Sequence, residues 1–414
     1  MKFIPSFFEC MKSYSKSQFI KDVVAGIIVA IIALPLSIAL AIASGVGPEV
    51  GLYTAVAAGF LIALFGGSRV QIAGPTAAFA TIVAGIVAEK GIDGLAIATV
   101  MAGLILVIMG LLRLGGLIKY IPHTITTGFT SGIALTILIG QLKDFFGLTF
   151  THSPVETVDK LKEVVLSFGT VNLMAVVVGV ISLLILILLP KLLPKVPASL
   201  IAVIVAAALV KLFALDVNTI GTLYPDIKTG LPSFTLPKFT VEGIISLLPD
   251  ALTIAVLAGV ESLLSCVVAD KMIGAKHNSN VELVAQGIGN VGSALFGGIP
   301  ATGAIARTAA NIKNGGRTPV SGMVHSVVLL AVLVLFMPYT NLIPMPTIAA
   351  ILFVVAYNMS EMKEFGGIIK KGPFTDTVVL VVTFIFTVVF DLVVAIVAGL
   401  ILHYAIVFVK KMKK

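Results

Sequence analysis

Charge is the scarcest property of this chain: Asp, Glu, Lys and Arg make up 12% of its 414 residues, about half the share of a soluble domain. With 58% apolar residues, too little polar surface remains for a water-soluble fold. Apolar runs of membrane-spanning length recur from end to end, 23–43 and 175–189 among them. Cysteine is nearly absent. Cys10 and Cys266 lie far apart, with no His or Cys at ligand spacing, so neither a disulfide framework nor a metal site follows. His123, His152, His277, His325 and His403 are scattered, without a His/Glu pair at zinc-ligand spacing. No Gly-x4-Gly-Lys-Ser/Thr loop supports ATP-driven pumping, and no Gly-x-Ser-x-Gly elbow or Ser/His/Asp arrangement supports hydrolysis. Without a nucleophile–base constellation, the chain does not read as an enzyme. The N-terminal stretch 1–20 has no small-residue cleavage site after a short apolar core and reads as an interfacial helix, not a secretory signal.

The net charge of +8 could suggest nucleic acid, but its placement argues otherwise. Basic clusters fall at Lys2/Lys12/Lys16/Lys21, Arg113/Lys119, Lys191/Lys195, Lys271/Lys276, Lys313/Arg317, Lys363/Lys370/Lys371 and 410–414. These are alternate connections, whereas 45–48 and 337–346 carry no Lys or Arg, as the positive-inside rule demands of the two sides of a membrane. Both termini are therefore expected in the cytoplasm of a multi-pass protein of the inner (plasma) membrane. The lipid bilayer is the expected partner, nucleic acid is not, and a homodimer is left open.

Apolar runs and their breakers give about 14 segments: 21–43, 49–66, 75–88, 93–112, 122–141, 170–189, 197–214, 246–268, 281–296, 303–312, 319–336, 345–357, 374–390 and 391–409. The third and tenth are too short to span alone. The pentapeptide Ala63-Leu64-Phe65-Gly66-Gly67 recurs as Ala294-Leu295-Phe296-Gly297-Gly298, ending the second and ninth segments. Seven segments separate the copies, and an odd number inverts the second relative to the membrane. The expected fold is thus an all-α membrane protein of 7+7 inverted repeats. The polar linker 216–244, with Gly221, Pro225, Gly230, Pro232 and Pro237, joins the repeats. A polar stretch over 149–163 reads as an external loop with an amphipathic helix.

Each pentapeptide leads into a Gly/Pro-interrupted stretch, Ala73-Gly74-Pro75-Thr76 in one half and Pro300-Ala301-Thr302-Gly303 in the other. Such breaks at matching places in two halves point to a transporter's binding site. A helix starting in mid-membrane exposes N–H groups that only a cavity or ligand can satisfy. Thr76, Ala77 and Ala78, and opposite them Gly303, Ala304, Ile305 and Ala306, are candidates to present backbone N–H groups to an anion. The competing reading is a Gly/Pro kink in a packed helix; the glycines between Gly287 and Gly292 are read as packing residues. Glu261, deep in the eighth segment, is the leading candidate for ion coupling, with Ser265 one turn on along the same face. A carboxylate and hydroxyl there suit sodium, a protonatable carboxyl suits a proton, and a bridge to an Arg or Lys is the bland alternative. Arg307 either lends positive potential to the anion or neutralises Glu261.

These residues resemble the SulP family of anion transporters, bacterial relatives of the solute-carrier anion exchangers. The resemblance covers essentially the whole chain. It is carried by Ala33-Leu34-Pro35-Leu36-Ser37, Gly51-Leu52-Tyr53, Gly74-Pro75-Thr76, Glu261-Ser262-Leu263-Leu264, Ala269-Asp270, Gln286-Gly287-Ile288-Gly289-Asn290 and the stretch 297–322. The runs Lys276-His277-Asn278-Ser279 and Gly322-Met323-Val324-His325 are most similar to the sodium-dependent bicarbonate transporters. The resemblance implies a core domain (21–113 and 245–337) moving like an elevator against a gate domain (118–215 and 345–410). It implies an anion held between the starts of segments 3 and 10, with Glu261 and Ser265 as the ion-coupling pair. Sodium-coupled members carry Asp and Thr at those two positions, and many members carry Gln where Leu36 stands, so the coupling ion and a preference for sulfate stay open. Most members continue into a cytoplasmic STAS domain, which is expected to be absent here. The expected function is secondary active transport, by symport or exchange, of an anion of the sulfate, bicarbonate, chloride or dicarboxylate class. No cofactor is expected beyond sodium or a proton. A nucleobase permease of the same fold and a passive anion channel are the alternatives. The first would need a second carboxylate or carboxamide facing the pocket from segment 10, and the second has no use for a coupling carboxylate.

Overall fold

The computed structural model describes residues 3–116, 122–152, 154–194, 196–227, 230–390 and 392–412. Lys2, Lys119, Lys195, Lys413, Lys414 and the segment boundary at Asp391 lie outside the described residues. In chain order the elements are α1 (Ser6–Met11), α2 (Lys16–Ala43), α3 (Pro48–Phe65), β1 (Ala73–Gly74), α4 (Ala77–Leu111), α5 (His123–Phe146), α6 (Thr157–Leu166), α7 (Leu173–Leu192), α8 (Ala198–Leu212) and α9 (Ile220–Leu223). The second half continues with α10 (Val241–Ile273), α11 (Ser279–Leu295), β2 (Thr302–Gly303), α12 (Ile305–Lys313), α13 (Val320–Phe336), α14 (Met345–Met359), α15 (Met362–Lys371), α16 (Phe374–Val389) and α17 (Leu392–Met412).

Each of the fourteen segments read from the sequence has its helix, once α4 is divided at Gly91. There φ is 70° and ψ −177°, a conformation open to glycine, and the chain turns from the short third segment into the fourth. Among the described residues, eight helices are long and apolar enough to cross a membrane, and α8, α16 and residues 394–408 of α17 are shorter apolar helices.

The structure departs from the sequence reading in four places. The stretch 1–20, expected to form one helix, holds only the short α1, because Ser15 accepts the Gln18 N–H as an N-cap and starts the first long apolar helix at Lys16. Thr240 caps α10 in the same way, so that helix begins five residues early and carries Pro249 inside. Helix α15 was not expected, being amphipathic with Lys370 and Lys371 in its last turn. The all-α reading also misses a two-stranded antiparallel pair, in which Ala73 faces Gly303 and Gly74 faces Thr302.

Helices α2–α4 and α10–α13 pack as one group, and α5, α7, α8, α14, α16 and α17 as a second. The second half of α4 lies against α11 at Gly103 and Gly287, where a Cβ on Gly103 would stand 2.7 Å from the Gly287 carbonyl. Only glycine permits that approach, and small residues at close crossings suit helix association in lipid, where apolar burial gives no drive.

Candidate functional site

The strand pair lies where the two repeats meet. Beyond each strand one residue or two of irregular chain lead into a short helix: Thr76 is the N-cap of α4 and Ala304 the N-cap of α12. A threonine at this place ordinarily turns its oxygen onto the N–H groups of the first turn. Here it makes no such cap; its Oγ1 donates instead to Glu261 Oε2 at 2.9 Å. Ala304 has no polar side chain to offer. Both half-helices therefore start with uncapped N–H groups at the positive ends of their dipoles.

The sequence-derived residues are distributed as follows. Thr76, Ala77 and Ala78 are buried at the first turn of α4. Gly303 belongs to β2. The Ala304 N–H is engaged by the Ile72 carbonyl at 2.8 Å, so the free N–H groups of α12 begin at Ile305, one or two residues later than the sequence suggests. Ile305 and Ala306 are exposed. Arg307 is 2% exposed, and its Nη2 crosses between the repeats to donate to the Pro75 carbonyl at 3.0 Å. Gly74 makes room for it, since a Cβ there would meet Nη1 at 2.7 Å.

Glu261 and Arg307 do not form an ion pair: among the described residues the pairs are His152–Glu163, Lys162–Asp159 and His277–Asp270. The alternative of a direct Glu261 bridge to a basic residue is not found among the described ion pairs. Ser265 is fully buried, and its hydroxyl is turned to Thr308 Oγ1 at 3.4 Å, which in turn accepts the Ile72 N–H at 3.0 Å. The described hydrogen bond of Glu261 is the one to Thr76.

Several residues that shape the site carry no signal strong enough to pick out from the chain. Glu282, fully buried on α11, accepts from Gly67 N (2.9 Å), Ser68 N (3.0 Å), Gln71 Nε2 (2.7 Å) and Gln286 Nε2 (2.9 Å). Cys266 donates its thiol to Gln71 Oε1 at 2.8 Å. Asn290 makes both hydrogen bonds to the Ala301 backbone, each 2.9 Å, and Asn311 donates to the Val70 carbonyl at 2.8 Å. Together they satisfy the irregular backbone of 66–76 and 297–304, which the membrane interior would otherwise leave unpaired. Asparagine and glutamine at membrane depth are the signal that could have found them; Gln286 and Asn290 stand out in the sequence only as motif residues.

A cavity of 510 Å³ runs between the two helix groups, lined by Ala78, Thr81, Thr136, Asp250, Thr253 and Thr387. Ala78 brings it to the first turn of α4. Residues 155–157 line it as well, in a loop tied back on itself by Glu163, which accepts from Thr151 N, Thr151 Oγ1 and His152 N. Glu163 lies outside the spans, and the Thr151 hydroxyl, ahead of the backbone donors, holds its carboxyl below the usual range.

Residues 19–383 match the model of the sulfate permease family. The chain belongs to the sulfate permease family. The chain is 47% identical over 404 residues to YvdB of Bacillus subtilis (strain 168), which bears the name "Putative sulfate transporter YvdB", covering 97% of this chain and 76% of YvdB. It is 35% identical to the bicarbonate transporter BicA of Synechocystis, over 81% of this chain and 61% of BicA. The transmembrane domain of a cyanobacterial BicA superimposes with a TM-score of 0.83 at 32% identity, covering 92% of this chain and 98% of that domain. Murine Slc26a9 in its inward-facing state shares the fold, with a TM-score of 0.88 at 19% identity over 99% of this chain and 71% of its own. The chain is an integral membrane anion transporter, not an enzyme.

Proposed function

We propose that this chain is a secondary active transporter that carries a small anion at the facing starts of α4 and α12 and couples its movement to protonation of Glu261. The observation that carries this reading is the Thr76–Glu261 hydrogen bond. It removes the cap from an anion-facing helix start and places a carboxylate beside it, so the anion site and the coupling group share one hydroxyl. A proton suits this arrangement better than sodium. A sodium ion needs several oxygens, and with Ser265 turned toward Thr308 the Thr76 hydroxyl is the described oxygen beside the Glu261 carboxyl. Arg307 supplies positive potential from behind the Pro75 carbonyl.

The two helix groups support a core domain of 21–113 and 245–337 working against a gate domain of 118–215 and 345–410, with the cavity between them as the access route in one state. In that reading the core carries the anion as an elevator, and both lysine-rich termini face the cytoplasm of the plasma membrane. Backbone N–H groups bind bicarbonate, sulfate, chloride and dicarboxylates on similar terms, and the names of the relatives favour sulfate and bicarbonate as the first to try. The test is uptake of these four anions into proteoliposomes, with sodium and pH gradients set independently. An imposed pH gradient should drive accumulation of at least one of them without sodium. Accumulation that requires sodium and ignores pH would reject the proton.

A further inference from the structure

Arg307 and His325 offer more hydrogen-bonding capacity than the protein around them uses. His325 on α13 is fully buried, and neither Nδ1 nor Nε2 has a protein partner. Arg307 uses Nη2 on Pro75, while Nε and Nη1 are buried and find no protein acceptor. Buried polar groups are almost always satisfied, and a cationic one left short of acceptors is especially costly.

The two residues also converge on one corner of the fold. Gly322, one turn before His325, packs toward Gln71 and Ile72: a Cβ there would meet the Gln71 carbonyl at 3.4 Å and Ile72 Cδ1 at 3.6 Å. Ser326, next to His325, donates to the Ala55 carbonyl at 3.0 Å. A Cβ on Gly74 would meet both Arg307 Nη1, at 2.7 Å, and Ala55 Cα, at 3.5 Å. Gly74 thus borders the guanidinium, while its neighbours Ile72 and Ala55 border the turn of α13 that carries His325.

We propose that an ordered water molecule sits in this corner, accepting a hydrogen bond from the free edge of Arg307 and donating one to a ring nitrogen of His325. Water fits because it accepts and donates at once, and a buried water typically has two to four polar partners. Neutral His325 supplies the acceptor that the guanidinium cannot. Through this water His325 is a positioning residue: it fixes the plane of the guanidinium whose Nη2 reaches Pro75 at the start of α4. Its effect on transport rests on the proposed anion site; the water itself does not.

A cryo-electron microscopy map of the full chain in lipid nanodiscs, at a resolution that shows ordered solvent, should contain a peak within hydrogen-bond distance of both side chains. A clear map without that peak, a direct Arg307–His325 contact or a halide in its place overturns the proposal. Transport kinetics give a second reading. His325→Leu should raise the KM for the transported anion about fivefold, the order of one net hydrogen bond lost. His325→Gln, which keeps a donor and an acceptor, should stay near wild type. In an Arg307→Ala background, His325→Leu should add nothing, since the pair acts as a unit. An unchanged KM in His325→Leu, or an equal penalty with and without Arg307, refutes the positioning role. A wild-type protein that transports no anion would sink the transport reading while leaving the density test in force.

Discussion

The Thr76 hydroxyl can serve its own helix or Glu261, and it serves Glu261. That choice makes Thr76→Ala and Thr76→Ser a sharp pair. Alanine keeps the α4 start uncapped but strips Glu261 of its donor, so anion binding should survive while coupling falls; serine should restore coupling. Counterflow exchange set against gradient-driven uptake separates the two effects, and equal loss of both in Thr76→Ala would contradict the assignment. Arg307→Ala should weaken anion affinity about tenfold, the order of one hydrogen bond to a charged group, read as KM in the same vesicles; an unchanged KM would reduce Arg307 to a strut. Glu261, Arg307 and the Gly74-Pro75-Thr76 break were legible in the sequence because charge at membrane depth and Gly/Pro interruptions show in composition alone. The bond between Thr76 and Glu261 was not, since it joins residues 185 positions apart. Neither was the diversion of Ser265 to Thr308, which depends on how the strand pair seats α12.

At the scale of elements, two re-entrant stretches are held by polar side chains of α10, α11 and α12. Glu282 is the hub, and Glu282→Ala leaves Gly67 N, Ser68 N and Gln71 without their acceptor. Removing one partner of such a buried charged network costs about 3 kcal/mol or more, so the thermal midpoint in detergent should fall well below wild type; a midpoint within error would contradict the role given to Glu282. Gly103→Leu should likewise lower it by forcing α4 from α11. The fourteen segments were legible because a membrane-spanning apolar run is a strong signal. Strands of two residues leave no periodic trace, and α15 hides because Lys363, Lys370 and Lys371 make it read as a loop. The early starts of α2 and α10 follow from caps at Ser15 and Thr240, which apolar-run counting ignores.

For the whole molecule, the repeated Ala-Leu-Phe-Gly-Gly and the count of seven segments between its copies point to two halves of opposite topology, but the pairing of β1 with β2 shows only in three dimensions. The elevator reading predicts that the helix groups must slide past each other across the cavity. Thr81 of α4 and Thr136 of α5 face each other there with their hydroxyls 3.3 Å apart. In a chain cleared of Cys10 and Cys266, Thr81→Cys with Thr136→Cys should cross-link on oxidation, halt turnover and recover it on reduction; full turnover in the cross-linked protein would exclude relative motion of the two groups. The most direct test of the whole scheme is anion accumulation in sodium-free proteoliposomes under an imposed pH gradient, comparing wild type with Glu261→Gln. Wild type should accumulate the anion above equilibrium, and Glu261→Gln should exchange it only down its gradient. Concentrative uptake in Glu261→Gln equal to wild type would show that Glu261 does not couple transport.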